Sequence, residues 1–216
     1  MRPRKKKQFN TRIEAVSELL ARLDKTGKAT LKDIFPDAGD KETFNLEIGC
    51  GKGSFAVSYA KKHTNEKFLA VEKISDVIIS ALEKALPESL PNLRFLVADA
   101  TWLCDALPEH SVDIIFINFC DPWPKARHAK RRLTYRGQLE KYKRLLTANG
   151  RIEFKTDNDE LFDFSVQEIT ESGFSIDFIS YDLHSEPSAE QNIVTEYEHN
   201  FSQKGFKIKK LICSMK

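Results

Sequence analysis

From Thr43 onward the chain alternates short apolar runs with longer amphipathic stretches. Phe44–Ile48 is a compact run that ends in glycines, and it predicts a strand. Ser54–Lys62 carries Phe55, Ala56, Tyr59 and Ala60 at helical spacing. Lys67–Val71 predicts a second strand. Ser75–Leu86 has Val77, Ile78, Ala81, Leu82 and Ala85 on one side, and Pro87 ends it. Leu93–Val97 is a third strand. Val112–Asn118 is almost purely apolar, as a strand covered on both faces must be. A helix over Leu133–Leu146, a strand over Arg151–Lys155 and a helix over Asp159–Glu171 follow, the last stopped by Gly173. Phe174–Tyr181 and Phe206–Cys213 complete seven strands. Strand and helix in strict alternation predict an α/β fold: a mainly parallel seven-stranded sheet with helices on both faces. The last two strands have no full helix between them, which predicts an antiparallel strand at one edge.

Upstream, Ile13, Val16, Leu19, Leu20 and Leu23 repeat at helical spacing, so a short helix is expected over Thr11–Leu23. Asp24–Glu42 mixes Gly, Pro and Asp and reads as a connector. Residues 1–42 are thus expected to be an appended arm, helix and connector, and residues 43–216 one domain.

Composition narrows the setting. No stretch approaches the roughly 20 apolar residues that span a bilayer, and no apolar segment follows the N-terminal bases. A cytoplasmic protein without membrane contact is expected. Cys50, Cys104, Cys120 and Cys213 form no C-x-x-C pair and have no histidine at ligand spacing, so neither a metal site nor a disulfide framework is expected. They read as small buried apolar residues.

The net charge of +2 conceals a segregation. Pro122–Arg144 holds nine bases and one acid, whereas Arg151–Asn200 holds two bases and thirteen acids. A third block, Arg2, Arg4, Lys5, Lys6 and Lys7, opens the chain. Such asymmetry suits a directional surface for nucleic acid, although solvated helix faces would give the same count.

Chemistry gathers at the strand ends, where α/β sheets bind ligands. The first strand runs into Glu47-x-Gly49-x-Gly51-x-Gly53. A dinucleotide loop would be G-x-G-x-x-G; here the third glycine comes one residue early and Ser54 stands in its place. Glu72, about twenty residues on, can accept hydrogen bonds from ribose hydroxyls. Asp99 after the third strand can bond an adenine amino group, and Glu47 can face an ammonium. That pattern favours S-adenosylmethionine over NAD. Each acid could instead cap a helix, and Asp157-x-x-Glu160 has capping-box spacing. Trp102 is expected to pack on the sheet, and Trp123, between two prolines, to stand at the mouth of the site.

After the fourth strand come Asp121-Pro122-Trp123-Pro124-Lys125 and Arg127-His128-x-Lys130-Arg131-Arg132-Leu133. With Phe154-Lys155-Thr156-Asp157-Asn158 and Thr195-Glu196-Tyr197-Glu198, these closely resemble the bacterial tRNA (guanine-N7)-methyltransferases, over about residues 44–201. Cys120, where many members carry Ser, is a departure. The resemblance implies a Rossmann-like class I methyltransferase that moves a methyl group from S-adenosylmethionine to guanine N7 in the tRNA variable loop. It implies that Glu47, Gly49, Gly51, Gly53, Glu72, Asp99 and Asp121 hold the cofactor and that Asp121 is also catalytic. Lys125, Asp157, Thr195, Glu196, Tyr197 and Glu198 would contact substrate, and Arg127, His128, Lys130, Arg131 and Arg132 would engage RNA. The partner would be tRNA; a monomer is expected, with a dimer left open. Three other readings remain: a methyltransferase for another base nitrogen in rRNA or DNA, a dinucleotide oxidoreductase, and a non-catalytic RNA-binding scaffold.

Overall fold

The computed structural model describes residues 9–39 and 41–216, so the Arg2–Lys7 block lies outside the described residues. In chain order the elements are α1 (Phe9–Ala15), α2 (Leu31–Ile34), β1 (Phe44–Ile48), α3 (Ser54–Lys62), β2 (Lys67–Glu72), α4 (Ser75–Ala85), β3 (Leu93–Val97), α5 (Ala100–Ala106), β4 (Val112–Asn118), α6 (Arg136–Leu145), β5 (Leu146–Thr156), α7 (Asp159–Glu171), β6 (Phe174–Ser180), α8 (Glu196–Ser202) and β7 (Lys209–Met215). The sheet order is β3-β2-β1-β4-β5-β7-β6. Strands β1 to β5 are parallel, and β7 runs antiparallel to both β5 and β6. The antiparallel strand is therefore inserted one place in from the edge, and β6 is the outermost strand. Strand order reverses between β1 and β4, the topological switch point where such sheets place ligands.

Alternation along each strand divides the core in two. Phe44, Leu46, Ile48, Ile115, Ile117, Ile152 and Phe154 face α2, α5, α6 and α7. Phe68, Ala70, Ile114 and Phe116 face α3 and α4. On this second face the strands end in polar side chains: Glu47 and Glu72 continue the rows of β1 and β2, and Asn118 and Lys155 are register partners at the ends of β4 and β5. The functional row is thus set by strand parity.

Several elements differ from the sequence expectation, each for a tertiary reason. The helix expected over Thr11–Leu23 stops at Ala15. Leu20 then bridges to Phe95, and the Ala21 N–H donates to the Phe95 carbonyl at 2.8 Å, so the chain leaves the helix to cover the β3 edge. The Asp24–Glu42 connector contains α2, started by a reciprocal Thr30–Asp33 capping box. Ile34, Phe35 and Ala38 behind it are buried. Helix α6 begins at Arg136 rather than Leu133, because Glu168 on α7 accepts the Arg136 backbone N–H at 2.6 Å and fixes its first turn. Leu146 already belongs to β5, where it pairs with Val112. Helix α5 has no counterpart in the pattern reading; it packs Leu103, Cys104 and Ala106 inward and leaves Trp102 39% exposed, off the sheet.

Candidate cofactor and substrate site

The loop after β1 turns on three glycines in left-handed conformation, Gly49, Gly51 and Gly53 (φ 85°, 56° and 73°). They serve two purposes. A Cβ on Gly53 would lie 2.6 Å from the Ala81 Cβ, so Gly53 lets α3 pack against α4. A Cβ on Gly49 or Gly51 would meet nothing within 4 Å, so the backbone there is open to a ligand.

The acids brace this loop as well as line it. Glu72 accepts from the Gly51 and Ile74 N–H groups at 3.2 and 2.9 Å. Asp99 is the N-cap of α5 and accepts from the Thr101 N–H at 2.9 Å; that bond holds its carboxyl below the usual range. Glu47 is only 2% exposed. Its Oε1 accepts from the Asn118 amide at 3.0 Å, while Oε2 is buried with no hydrogen-bond partner. Burial pushes its carboxyl up to about 7, against the opposing effects of the Asn118 bond and the Lys155 charge.

Two cavities meet at Gly49 and Phe119. One, of about 530 Å³, lies beyond β1, β2 and β3 and is lined by Glu72, Asp99, Asp121, Trp123, Lys130 and Arg131. The other, of about 360 Å³, is lined by Glu47, Gly51, Ser54, Glu196 and Tyr197. A neighbouring groove of about 640 Å³ runs between α3 and the β5–β7 face. Its floor carries Glu153 paired with Arg151 and Lys210 at 3.0 and 2.8 Å, so those charges answer one another.

The loop after β4 is strained. Phe119 and Trp123 hold φ of 52° and 43°, a region that costs a non-glycine residue about 1–2 kcal/mol. Arg132 supplies the restraint: it is buried, donates to the Pro122 and Trp123 carbonyls at 3.0 and 3.1 Å, and lies over the Phe164 ring. Of the five residues expected to engage RNA, Arg132 is thus turned inward and holds backbone. Arg127, Lys130 and Arg131 are exposed, as are Asp121 and Lys125. Arg131 stacks over the Trp123 ring at 4.8 Å, and the half-buried His128 meets that ring edge-on at 5.6 Å.

The C-terminal contacts sort similarly. Asn158, not Asp157, caps α7, accepting from the Leu161 N–H at 2.7 Å. Asp157 Oδ2 instead sits 3.4 Å from the Tyr197 hydroxyl. Thr195 and Glu198 form the capping box of α8 and are both buried. Glu196 and Tyr197 are exposed: Glu196 accepts from the Ser54 hydroxyl at 3.2 Å, and the Tyr197 ring lies 4.9 Å from Phe119. Glu47, Gly49, Gly51, Phe119, Asp157, Glu196 and Tyr197 come together, and Thr195 and Glu198 stand behind them.

Asn118, Phe119 and Lys155 join the site although the sequence reading gave none of them a role; Lys155 stood there only as a member of the Phe154–Asn158 motif. Two signals pointed that way. Thr195-x-x-Glu198 is itself a capping-box spacing, and Arg151, Glu153 and Lys155 put three charges on one face of a central strand. No group of histidines, cysteines or carboxylates among the described residues could hold a metal ion, and no described helix is long and apolar enough to cross a membrane. All four cysteines are free thiols; three are buried and Cys120 is half-buried.

A putative-methyltransferase family model matches residues 41–211. A tRNA (guanine-N(7)-)-methyltransferase of Lactobacillus delbrueckii subsp. bulgaricus is 43% identical over 207 residues, covering 95% of this chain and 94% of that protein. One from Brevibacillus brevis is 41% identical over 170 residues, 79% of each chain. Among solved structures, an antibiotic-related methyltransferase superposes with a TM-score of 0.61 at 19% identity, covering 89% of this chain and 98% of its own; it shares the fold. With relatives this similar over nearly their whole length, and with the glycine loop, the strand-end acids and the post-β4 loop converging on one pair of cavities, the chain belongs to the tRNA (guanine-N7)-methyltransferase family.

Proposed function

We propose that this protein transfers the methyl group of S-adenosylmethionine to N7 of guanine in the variable loop of tRNA, in the cytoplasm. The observation that carries the reading is the buried, unpartnered Oε2 of Glu47 beside an open glycine loop, in a chain belonging to this family. A buried carboxylate oxygen without a donor suits a cationic ligand group. The cavities, of about 360 and 530 Å³, suit an amino-acid end and a nucleoside end in a range usual for small-ligand sites. Glu47 would face the ammonium, Glu72 the ribose and Asp99 the adenine, with Gly49, Gly51 and Gly53 shaping the loop. When bound, S-adenosylmethionine supplies an electrophilic methyl on sulfonium.

The residues then have little proton chemistry to perform. Guanine N7 carries an in-plane lone pair and loses no proton on attack, so a strong general base is unnecessary. Holding the reacting atoms in line can contribute about 7–11 kcal/mol. Positive charge develops on the guanine ring, and a fixed carboxylate beside it stabilises that charge. Asp121, exposed on the cavity rim after β4, is assigned that role. Asp157 would hold the guanine edge, the Tyr197 and Phe119 rings would offer a stacking face, and Lys125, Arg127, His128, Lys130 and Arg131 would bind phosphates. The test is single-turnover methylation of unmodified tRNA with Asp121→Ala. A rate reduced at least about a hundredfold with S-adenosylmethionine binding kept is expected of an electrostatic stabiliser; a near-normal rate removes Asp121 from the chemistry.

A further inference from the structure

Lys155 is a cation in the interior: 3% exposed at the end of a central strand. All three of its donors are used. They reach Asn192 Oδ1 and the Ile193 carbonyl, each at 3.1 Å, and Glu198 Oε2 at 2.7 Å. Glu198 is fully buried, and around the Lys155 contact it also accepts from the Asn192 amide at 2.6 Å and meets His184 Nε2 at 3.0 Å. Burial draws the ammonium down and the Glu198 carboxyl up; for Glu198 the Lys155 charge and its hydrogen bonds win, leaving it below the usual range.

Apart from the packing of Ile193 on the α3–α4 cluster and a bond from Lys62 to the Gln191 carbonyl at 3.3 Å, the tied segment is held mainly through this cluster of Lys155 and Glu198 contacts. Between β6 and α8 the backbone forms only two short 3-10 turns. The contacts of Glu196 with Ser54 and Lys84 are exposed, and such pairs are weak. Lys155 also reaches the opposite wall: its carbonyl accepts the Phe119 N–H at 2.9 Å, and its ammonium lies 5.9 Å from the Phe119 ring. One residue is therefore linked to both aromatic rings, to Phe119 through its backbone and to Tyr197 through the helix whose capping box includes Glu198.

We propose that Lys155, without touching the reacting atoms, is a positioning residue that latches the Asn192–Glu198 segment to the end of β5 and so sets Tyr197 against Phe119. This rests on the methyl-transfer reading for its kinetic consequence, but the latch itself can be observed without activity. In Lys155→Met, amide exchange at residues 193–199 should speed up by about tenfold or more while the other strands keep their protection, because an unpaired buried carboxylate is expelled rather than tolerated. The kcat/KM for tRNA should fall by about tenfold or more, measured at saturating S-adenosylmethionine because loss of the Lys155 charge also lets the Glu47 carboxyl rise.

The double variant Lys155→Met/Glu198→Met separates positioning from bulk stability and covers the case in which the single variant does not fold. Removing both charges should recover most of the Tm lost in the single variant, short of the bonds that Glu198 makes to the Thr195 N–H and the Asn192 amide, since a buried pair replaced by apolar side chains is often neutral or stabilising. The tRNA kcat/KM should stay low because the tether is gone. Recovery of kcat/KM together with Tm would overturn the proposal, as would unchanged exchange at 193–199 in the single variant. A wild-type protein inert on tRNA would refute the functional reading alone, leaving the exchange result to decide the latch.

Discussion

Glu47 is buried at the end of β1 with one carboxylate oxygen unpartnered. Its carboxyl rises from an ordinary value of 4.5 to about 7, chiefly through burial. The folded chain without ligand therefore holds a proton there that the unfolded chain releases at lower pH. A raised carboxyl pKa favours folding fully below the unfolded value, and that advantage is lost as pH climbs to the folded value. The window is about pH 4.5 to 7. At 1.36 kcal/mol per tenfold change in proton affinity, the loss amounts to about 3 kcal/mol. Glu47→Gln removes the titration but keeps an acceptor for the Asn118 amide. It also leaves the outer atom unpartnered, as a protonated Glu47 would, so the two proteins should unfold alike near pH 4.5.

At pH 8 Glu47→Gln should be more stable than the wild type by about 3 kcal/mol, or roughly 6–12 °C in Tm for a chain of this size. Urea or thermal unfolding of the ligand-free proteins from pH 4.5 to 8.5 reads this directly. The same substitution should weaken S-adenosylmethionine binding. Wild-type affinity should rise with pH up to about 7, because a cationic ligand group favours the ionised carboxylate, and the variant's affinity should be flat across that range. Stability curves that run parallel, or a variant less stable at pH 8, would refute the assignment of Glu47 as a buried charge held for a ligand.

Two further outcomes follow from the geometry. Gly53→Ala should cost roughly 2–4 kcal/mol in urea unfolding, since strain at positive φ adds to a clash with Ala81; Gly51→Ala, with open space around it, should cost about 1–2 kcal/mol and act mainly on cofactor affinity. In salt titrations of tRNA binding, Arg127→Ala and Lys130→Ala should each lower the log–log slope by roughly 0.7–0.9, as lost phosphate contacts do. Arg132→Ala should leave that slope unchanged and lower the turnover rate instead, by freeing the Pro122 and Trp123 carbonyls; an equal slope change for all three would place Arg132 on the RNA.

The parallel core of the fold was legible because its signals are local. Phe44–Ile48, Leu93–Val97 and Val112–Asn118 are apolar runs whose ends coincide with the observed strands, and Asp159–Glu171 is bounded by Asn158 and Gly173. The elements that were not legible depend on distant partners. Leu20 turns from helix to sheet edge because Phe95 offers an unpaired carbonyl. Arg136 begins α6 because Glu168, thirty-two residues away, supplies a cap that no residue before the helix provides.

The same distinction runs through the site. Sequence patterns place acids and bases at strand ends, but they cannot tell a side chain that meets a ligand from one that holds its neighbours. Glu47 and Glu198 are both buried glutamates in family motifs. One keeps an oxygen without a partner and faces a cavity; the other has Lys155, Asn192 and His184 around it. Arg131 and Arg132 are adjacent, yet one lies on the cavity wall beside Trp123 and the other is consumed by two carbonyls. In each pair the role follows from whether the charge is already answered within the chain. For Glu198 and Lys155 the answer lies 43 residues away along the sequence. In these pairs the charge that folding leaves unanswered is the one left to meet a ligand, and the motif around it is largely the apparatus that keeps it so.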